Sequence, residues 1–369
     1  MSRLIQAAIA PAAGAPLTVR ELTLADPGPG EVIVRIVACG LCHTDEKARH
    51  GQMPLPLPAV LGHEGAGIVE ATGPGVERYR AGDRVLIGWP FCGQCDACSL
   101  GEPRYCADLK SLAFSGHRPT PNNHTASAYQ ETSGKPIYGH FFGQSSLASH
   151  SLVSANALVP VPEDFPLESA GPLACGLATG AGAVFNSLTP RKRIAIVGAG
   201  AVGFGALMAA RVEGWQEIIV IDQHADRLAL ARELGATEVR LANGSDLLAL
   251  IGDKVDAIID CTGNVSLIEQ SIDCIGPLGI CLLLGGAPAG ETFRAEQFGV
   301  LWGKRIQGVL GGGGTSEALL GRLMALHLAG EFPFDRLLTY YPLSQINQAI
   351  KNSHSGSGCF PMRTLICCK

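Results

Sequence analysis

Four cysteines stand close together at Cys92, Cys95, Cys98 and Cys106, in the pattern C-x2-C-x2-C-x7-C. Four thiolates this near one another can close a tetrahedral shell around a zinc ion with no coordination position left open, which is a structural site. The intervening Gly93, Gln94, Asp96 and Ala97 cannot fold around a core of their own, so metal binding must supply the folding energy of the lobe. A zinc ribbon that binds nucleic acid would want basic residues around the cysteines, and only Arg104 and Lys110 lie nearby.

A second chemical signal is the turn Gly198-Ala-Gly-Ala-Val-Gly203, which follows the apolar run Arg193–Val197 and opens a helical pattern over Ala201–Glu213. Gly198 allows the tight turn, Gly200 lets the backbone approach a pyrophosphate, and Gly203 lets helix and strand pack closely, with Val202 between them on the first helical turn. The helix start offers free N–H groups and a positive dipole end to phosphates. Asp222 ends the next strand-like run, Glu217–Ile221, where an acid holds a ribose 2′-hydroxyl and repels a 2′-phosphate. The expectation is NAD in preference to NADP.

A third group is scattered: Cys42, His63 and Cys175, in Cys42-His-Thr-Asp45, Gly62-His-Glu-Gly65 and Leu173-Ala-Cys-Gly176. Two thiolates and one imidazole leave a fourth zinc position open for a water or an alcohol. Spacing alone does not connect the three, and each singly reads as well as a buried thiol or a satisfied core histidine. Cys39-x2-Cys42 has the spacing of a redox dithiol, but no thioredoxin-like pattern surrounds it. Cys261, Cys274 and Cys281 fall in expected core elements, where a free thiol acts as a small hydrophobe. Cys359, Cys367 and Cys368 have no ligand spacing.

The elements that must position these residues divide the chain. Glu31–Val37, Gly67–Thr72 and Asp83–Ile87 read as strands in a β-rich first third, and Ser115–Lys135 as a surface loop. From Arg193 onward strands alternate with helices: Glu217–Ile221, helix Asp226–Leu234, strand Val255–Ile259, helix Leu267–Ile275, strand Ile280–Leu284. That alternation implies right-handed βαβ units and a parallel sheet covered on both faces. A helix near Glu317–Leu328 and a strand near Arg363–Ile366 follow. The expected fold is α/β: a doubly wound Rossmann domain (178–308) inserted in a β-rich domain made of 1–177, with its metal lobe, and completed by 309–369.

The 369 residues suit about two domains. With 47% hydrophobic and 17% charged residues, the chain is neither disordered nor coiled-coil in character. A net charge of −5 without a basic patch argues against a nucleic-acid partner. The N-terminal stretch lacks the charged and apolar regions of a signal peptide, and no apolar run is long enough for a membrane span. With 13 cysteines and no such signal, reduced thiols and metal ligands are expected in a cytoplasmic protein.

Gly62-His63-Glu64-x2-Gly67-x5-Gly73-x2-Val76 resembles the zinc signature of the medium-chain alcohol dehydrogenases. The four-cysteine lobe, the Gly198–Gly203 turn and Asp222 occur in the order and at the distances of that family, so the resemblance covers essentially the whole chain. Phe141-Phe-Gly-Gln-Ser-Ser146 and Cys175–Val184 look like the aryl-alcohol and geraniol dehydrogenase branch. The resemblance implies a GroES-like catalytic domain, two zinc ions and NAD, with Cys42, His63 and Cys175 on the catalytic zinc. It implies that Thr44 takes the alcohol proton. Where many relatives end the proton relay in a histidine this chain has Lys47, with His50 further along. Asp45 is expected to orient His63, and Glu64 to lie near the zinc. His43, Arg363 and Arg227 match basic positions beside the cofactor. Phe141 and Phe142 match positions lining the alcohol channel, which Trp89 and Phe91 could close. The implied activity is oxidation of a primary aromatic or allylic alcohol. The rivals are a formaldehyde (S-hydroxymethylglutathione) dehydrogenase, a polyol dehydrogenase and a non-catalytic cofactor binder. Relatives are dimers or tetramers, with Ile280–Leu284 and Ile306–Leu310 as candidate contacts.

Overall fold

The computed structural model describes residues 3–118, 127–354 and 363–367, the last strand by its backbone only. The chain forms two compact units. Residues 1–175, 315–325 and 335–369 make the first, and 176–314 with 326–334 the second.

The first unit is β-rich. One sheet runs Ala59–Val60, Arg3–Ala10, Thr18–Leu24, Tyr129–Glu131, Pro136–Ile137. A second, seven-stranded sheet centres on Glu31–Leu41, flanked by Gly65–Thr72 and by the C-terminal strand Arg363–Cys367, which pairs antiparallel with Thr364 opposite Leu41. Glu31–Leu41 is longer than the sequence pattern suggests, because its neighbours bury it on both faces: Val32, Val34, Ile36, Ala38 and Cys39 are all at most 1% exposed. Apolar residues there need no alternation.

The second unit holds a six-stranded, wholly parallel sheet: Glu238–Leu241, Glu217–Asp222, Arg193–Val197, Val255–Asp260, Ile275–Leu283, Arg305–Gly308. The order reverses direction at Arg193–Val197, so the glycine-rich turn sits at the switch point where such sheets bind ligands. Together with the β-rich first unit, this is the α/β architecture expected from the sequence.

Two local expectations need correction. The stretch Ser115–Lys135 is not all loop: Tyr129–Glu131 is a strand on Thr18–Leu24, and the Tyr129 side chain is fully buried. Three residues are too few for a periodic signal, and the partner strand supplies the order. The helix Gly176–Ser187 was not legible, because three glycines argue against helix by propensity. Its small residues instead permit close packing on the helix Ala201–Val212: a Cβ on Gly180 would strike the Val202 carbonyl, and one on Gly205 the Leu177 carbonyl. No helix among the described residues is long and apolar enough to cross a membrane.

Candidate metal centres and dinucleotide site

The strand Glu31–Leu41 delivers Cys42 to the start of the short helix His43–Arg49. Asp45, in the first turn of that helix, ties the ligand-bearing segments together. Its Oδ2 accepts the Cys42 amide at 3.0 Å, and its Oδ1 accepts the Gly62 amide at 2.9 Å. The same carboxylate takes the Nδ1–H of His63 at 3.2 Å. Gly62 must turn here at φ +96°, and any side chain would strike the Leu147 backbone. Occupying Nδ1 in this way leaves the lone pair of Nε2 for a metal.

Nε2 of His63 is buried and has no hydrogen-bond partner among the described residues. It lies 4.0 Å from Glu64 Oε1, while the sulfurs of Cys42 and Cys175 are 4.0 Å apart. The ligand atoms of Cys42, His63, Glu64 and Cys175 all lie within 4.8 Å of one another. A zinc bound at about 2.0–2.3 Å from each ligand needs separations of this order, so the donor set fits that ion. Burial disfavours protonation of His63, but the Asp45 carboxylate and the Cys42 sulfur outweigh it and hold the imidazole well above its usual pKa. This is a place that wants a cation, and a metal takes the proton's position.

Other expected residues lie around this cluster. Thr44 Oγ1 is 3.7 Å from Cys42 Sγ. His43 is exposed and Lys47 half-buried on the same helix. His50 is engaged by Arg49, with Nη2 2.7 Å from its Nε2. Phe142 stacks on His63 at 4.6 Å and 25°, and Phe141 meets the ring edge-on at 5.5 Å. Trp89 touches Phe142 at 5.0 Å.

Gln144, legible in the sequence only as part of a branch motif, fastens the histidine loop. Its Oε1 accepts the Gly65 amide at 3.0 Å and the Ser146 hydroxyl at 2.6 Å, and its Nε2 donates to the His63 carbonyl at 3.0 Å. Nothing in its spacing could announce this. Gln144→Leu strands these buried groups and is expected to cost about 3 kcal/mol. Calorimetry of the zinc-loaded protein would register this as a lower Tm, and an unchanged Tm would deny the fastening role.

The four-cysteine lobe brings its sulfurs within 4.8 Å of one another. The Ala107 amide donates to Cys95 Sγ at 3.4 Å, and such backbone donors lower that thiol to about 6, whereas burial pushes Cys98 up to about 12. Without a metal the negative charge gathers on Cys95 while Cys98 holds its proton. A divalent ion removes that conflict, so this donor set also fits zinc.

Arg104, in the same lobe, is 2% exposed, and none of its three guanidinium nitrogens has a hydrogen-bond partner among the described residues. Burial lowers it only to about 10, so it is charged at neutral pH. Its guanidinium lies over the Trp89 ring at 4.9 Å.

In the second unit Gly200 caps the helix Ala201–Val212 with open space where a side chain would stand, while a Cβ on Gly203 would strike the Gly198 carbonyl. Gly203 therefore serves packing, and Gly200 leaves a cradle for a ligand's phosphates. Val202 is half-buried in the first turn. Asp222 Oδ2 accepts the Ala199 amide at 2.7 Å, and Oδ1 accepts the His224 amide at 2.9 Å. The His224 ring lies 2.8 Å from Oδ1, and Arg227 Nη1 3.7 Å from Oδ2. The sequence did not single out His224. The side chain of Arg363 lies outside the described residues.

The amino-acid sequence matches the alcohol dehydrogenase GroES-like domain over residues 28–163 and the zinc-binding dehydrogenase domain over 201–325. It is 37% identical to the geraniol dehydrogenase of Castellaniella defragrans, over 97% of this chain and 96% of that protein. The crystal structure of benzyl alcohol dehydrogenase from Acinetobacter calcoaceticus superposes with a TM-score of 0.93 at 38% identity, over 100% of both chains. An alcohol dehydrogenase zinc-binding domain protein from Burkholderia ambifaria gives 0.94 at 42%, over 99% of both. A donor cluster suited to zinc, a doubly wound parallel sheet and full-length similarity agree: the chain belongs to the zinc-binding medium-chain alcohol dehydrogenase family, in the branch of its geraniol and benzyl alcohol dehydrogenase relatives.

Proposed function

We propose that this dehydrogenase uses NAD and two zinc ions, one catalytic and one structural, to interconvert primary aromatic or allylic alcohols and their aldehydes. The observation that carries this is the buried Cys42–His63–Glu64–Cys175 cluster with Phe142 stacked on its imidazole. Zinc held there supplies a Lewis acid that makes an alcohol easier to deprotonate. Asp45 fixes the His63 ring, and Glu64 stands beside Nε2 as an alternative donor. Thr44 receives the proton, and we assign the outer end of the relay to Lys47. Trp89, Phe141 and Phe142 favour a flat apolar substrate over a polyol. Cys92, Cys95, Cys98 and Cys106 hold the second ion. The catalytic domain comprises 1–177 and 309–369, and the cofactor domain 178–308.

Gly198, Gly200, Val202 and Gly203 receive the pyrophosphate, Asp222 holds the adenosine ribose with Arg227 beside it, and His43 and Arg363 complete the phosphate contacts. Asp222 repels a 2′-phosphate, whereas His224 and Arg227 would attract one once it is gone. Asp222→Gly should therefore raise the kcat/KM ratio of NADP to NAD by about 100-fold. An unchanged ratio in initial-rate assays removes Asp222 from cofactor choice. The edge strand Arg305–Gly308 lies in the same unit as the exposed Phe298, Leu301 and Trp302, which supports a homodimer or a dimer-based tetramer. Turnover of a panel of aromatic, allylic, aliphatic and polyol substrates, with and without a zinc chelator, tests the proposal.

A further inference from the structure

Arg104 belongs to neither zinc set, yet it is a buried cation without a hydrogen-bond partner among the described residues. Buried polar groups are nearly always satisfied, and an orphan calls for an absent ion, water or ligand. Its neighbour Trp89 has the same deficit: the indole Nε1 is buried without a partner. Both side chains can only donate. Two donor-only groups, one of them charged, ask for an anion.

Their position says which kind. From His63 a file of rings leads to Arg104: Phe142 lies 4.6 Å from His63, Trp89 5.0 Å from Phe142, and the guanidinium 4.9 Å from Trp89. An aromatic alcohol bound beside this file with its hydroxyl at the metal ligands would carry a ring substituent toward the guanidinium. A planar fork of N–H donors matches a carboxylate in two parallel hydrogen bonds.

We propose that Arg104, with the Trp89 indole N–H, selects substrates that carry a carboxylate as well as the reacting alcohol or aldehyde, such as hydroxymethylbenzoates. This rests on the alcohol dehydrogenase reading and narrows its substrate class. A neutral alcohol leaves the guanidinium unpaired in an apolar setting, which is the stronger basis of discrimination.

The test uses the zinc-loaded protein. Benzoate and benzamide are titrated by calorimetry, and kcat/KM is measured for the ortho, meta and para hydroxymethylbenzoates, benzyl alcohol and S-hydroxymethylglutathione. We expect benzoate to bind at least about 10-fold more tightly than benzamide, and at least one hydroxymethylbenzoate to exceed benzyl alcohol. Arg104→Gln should cut kcat/KM for that acid by about 100-fold, with kcat/KM for benzyl alcohol raised or at least not reduced, and zinc content unchanged. Arg104→Lys keeps the charge and should recover part of the loss. It also serves as the second variant if the glutamine protein does not fold. Equal benzoate and benzamide affinity overturns the proposal, as does equal loss on neutral and acidic alcohols, loss of zinc, or a higher KM for NAD alone. Preference for the glutathione adduct over every hydroxymethylbenzoate would keep the carboxylate reader but overturn the benzoate class. If no alcohol is oxidised, the dehydrogenase reading fails, while the benzoate titration still decides Arg104.

Discussion

Cys175→Ser is expected to leave the protein folded and the four-cysteine lobe intact, with zinc binding at the Cys42–His63 cluster lost and alcohol oxidation reduced by more than about 100-fold. The reason is geometric. Cys175 faces Cys42 at 4.0 Å, and the cluster has one imidazole and one carboxylate besides. Taking away one thiolate leaves a weaker donor set for a metal that prefers sulfur and nitrogen. Asp45→Ala should act in the same direction and more mildly, by about 10- to 100-fold in zinc affinity, because it frees the His63 ring and strips an acceptor from the Cys42 and Gly62 amides. Zinc content by atomic absorption, read beside circular dichroism, separates a lost ligand from a lost fold. Full zinc and full activity in Cys175→Ser would remove Cys175 from the site.

The second large effect belongs to the lobe. Cys98→Ser is expected to abolish the structural zinc and unfold the segment between Cys92 and Cys106. Only short helical turns, Asp96–Ser99 and Pro103–Tyr105, order that stretch from within. Binding of a structural zinc is worth about 10–16 kcal/mol in small zinc domains, and a four-residue helix has no comparable stability of its own. Limited proteolysis should cut the variant near Arg104 and Lys110 while the wild type resists. Because Arg104 and Trp89 rest on this lobe, the variant should also lose any discrimination between acidic and neutral alcohols. A protease-resistant variant with normal zinc would deny the lobe its metal-dependent fold.

These two sites differ in how far the sequence disclosed them. Cys92 to Cys106 and Gly198 to Gly203 are local: the ligating atoms lie on one short stretch, so spacing carries the geometry. Cys42, His63 and Cys175 are far apart in sequence, and only the resemblance around Gly62 to Val76 connected them. The structure supplies the physical link, which is Asp45 bonding to the Cys42 amide, the Gly62 amide and the His63 ring together. Gln144 and His224 were missed because a single side chain's hydrogen bonds leave no periodic trace. Arg104 stands out in the sequence only as one of two basic residues near the cysteines. Charge in a polar lobe ordinarily means solvent, and only the packing of Trp89 over it reveals a buried cation. The strand at Tyr129–Glu131 and the glycine-bearing helix Gly176–Ser187 were hidden for the opposite reason: tertiary packing overrides weak local preference.

The most direct test of the central claim is NADH formation by the zinc-loaded protein with benzyl alcohol, cinnamyl alcohol, geraniol, ethanol, sorbitol and S-hydroxymethylglutathione, each with and without a zinc chelator. The expected result is chelator-sensitive turnover that is strongest on the aromatic and allylic alcohols and restored by added zinc. Turnover confined to the glutathione adduct would move the substrate assignment to formaldehyde metabolism, and no turnover by a zinc-loaded sample that binds NAD would contradict the enzyme reading altogether.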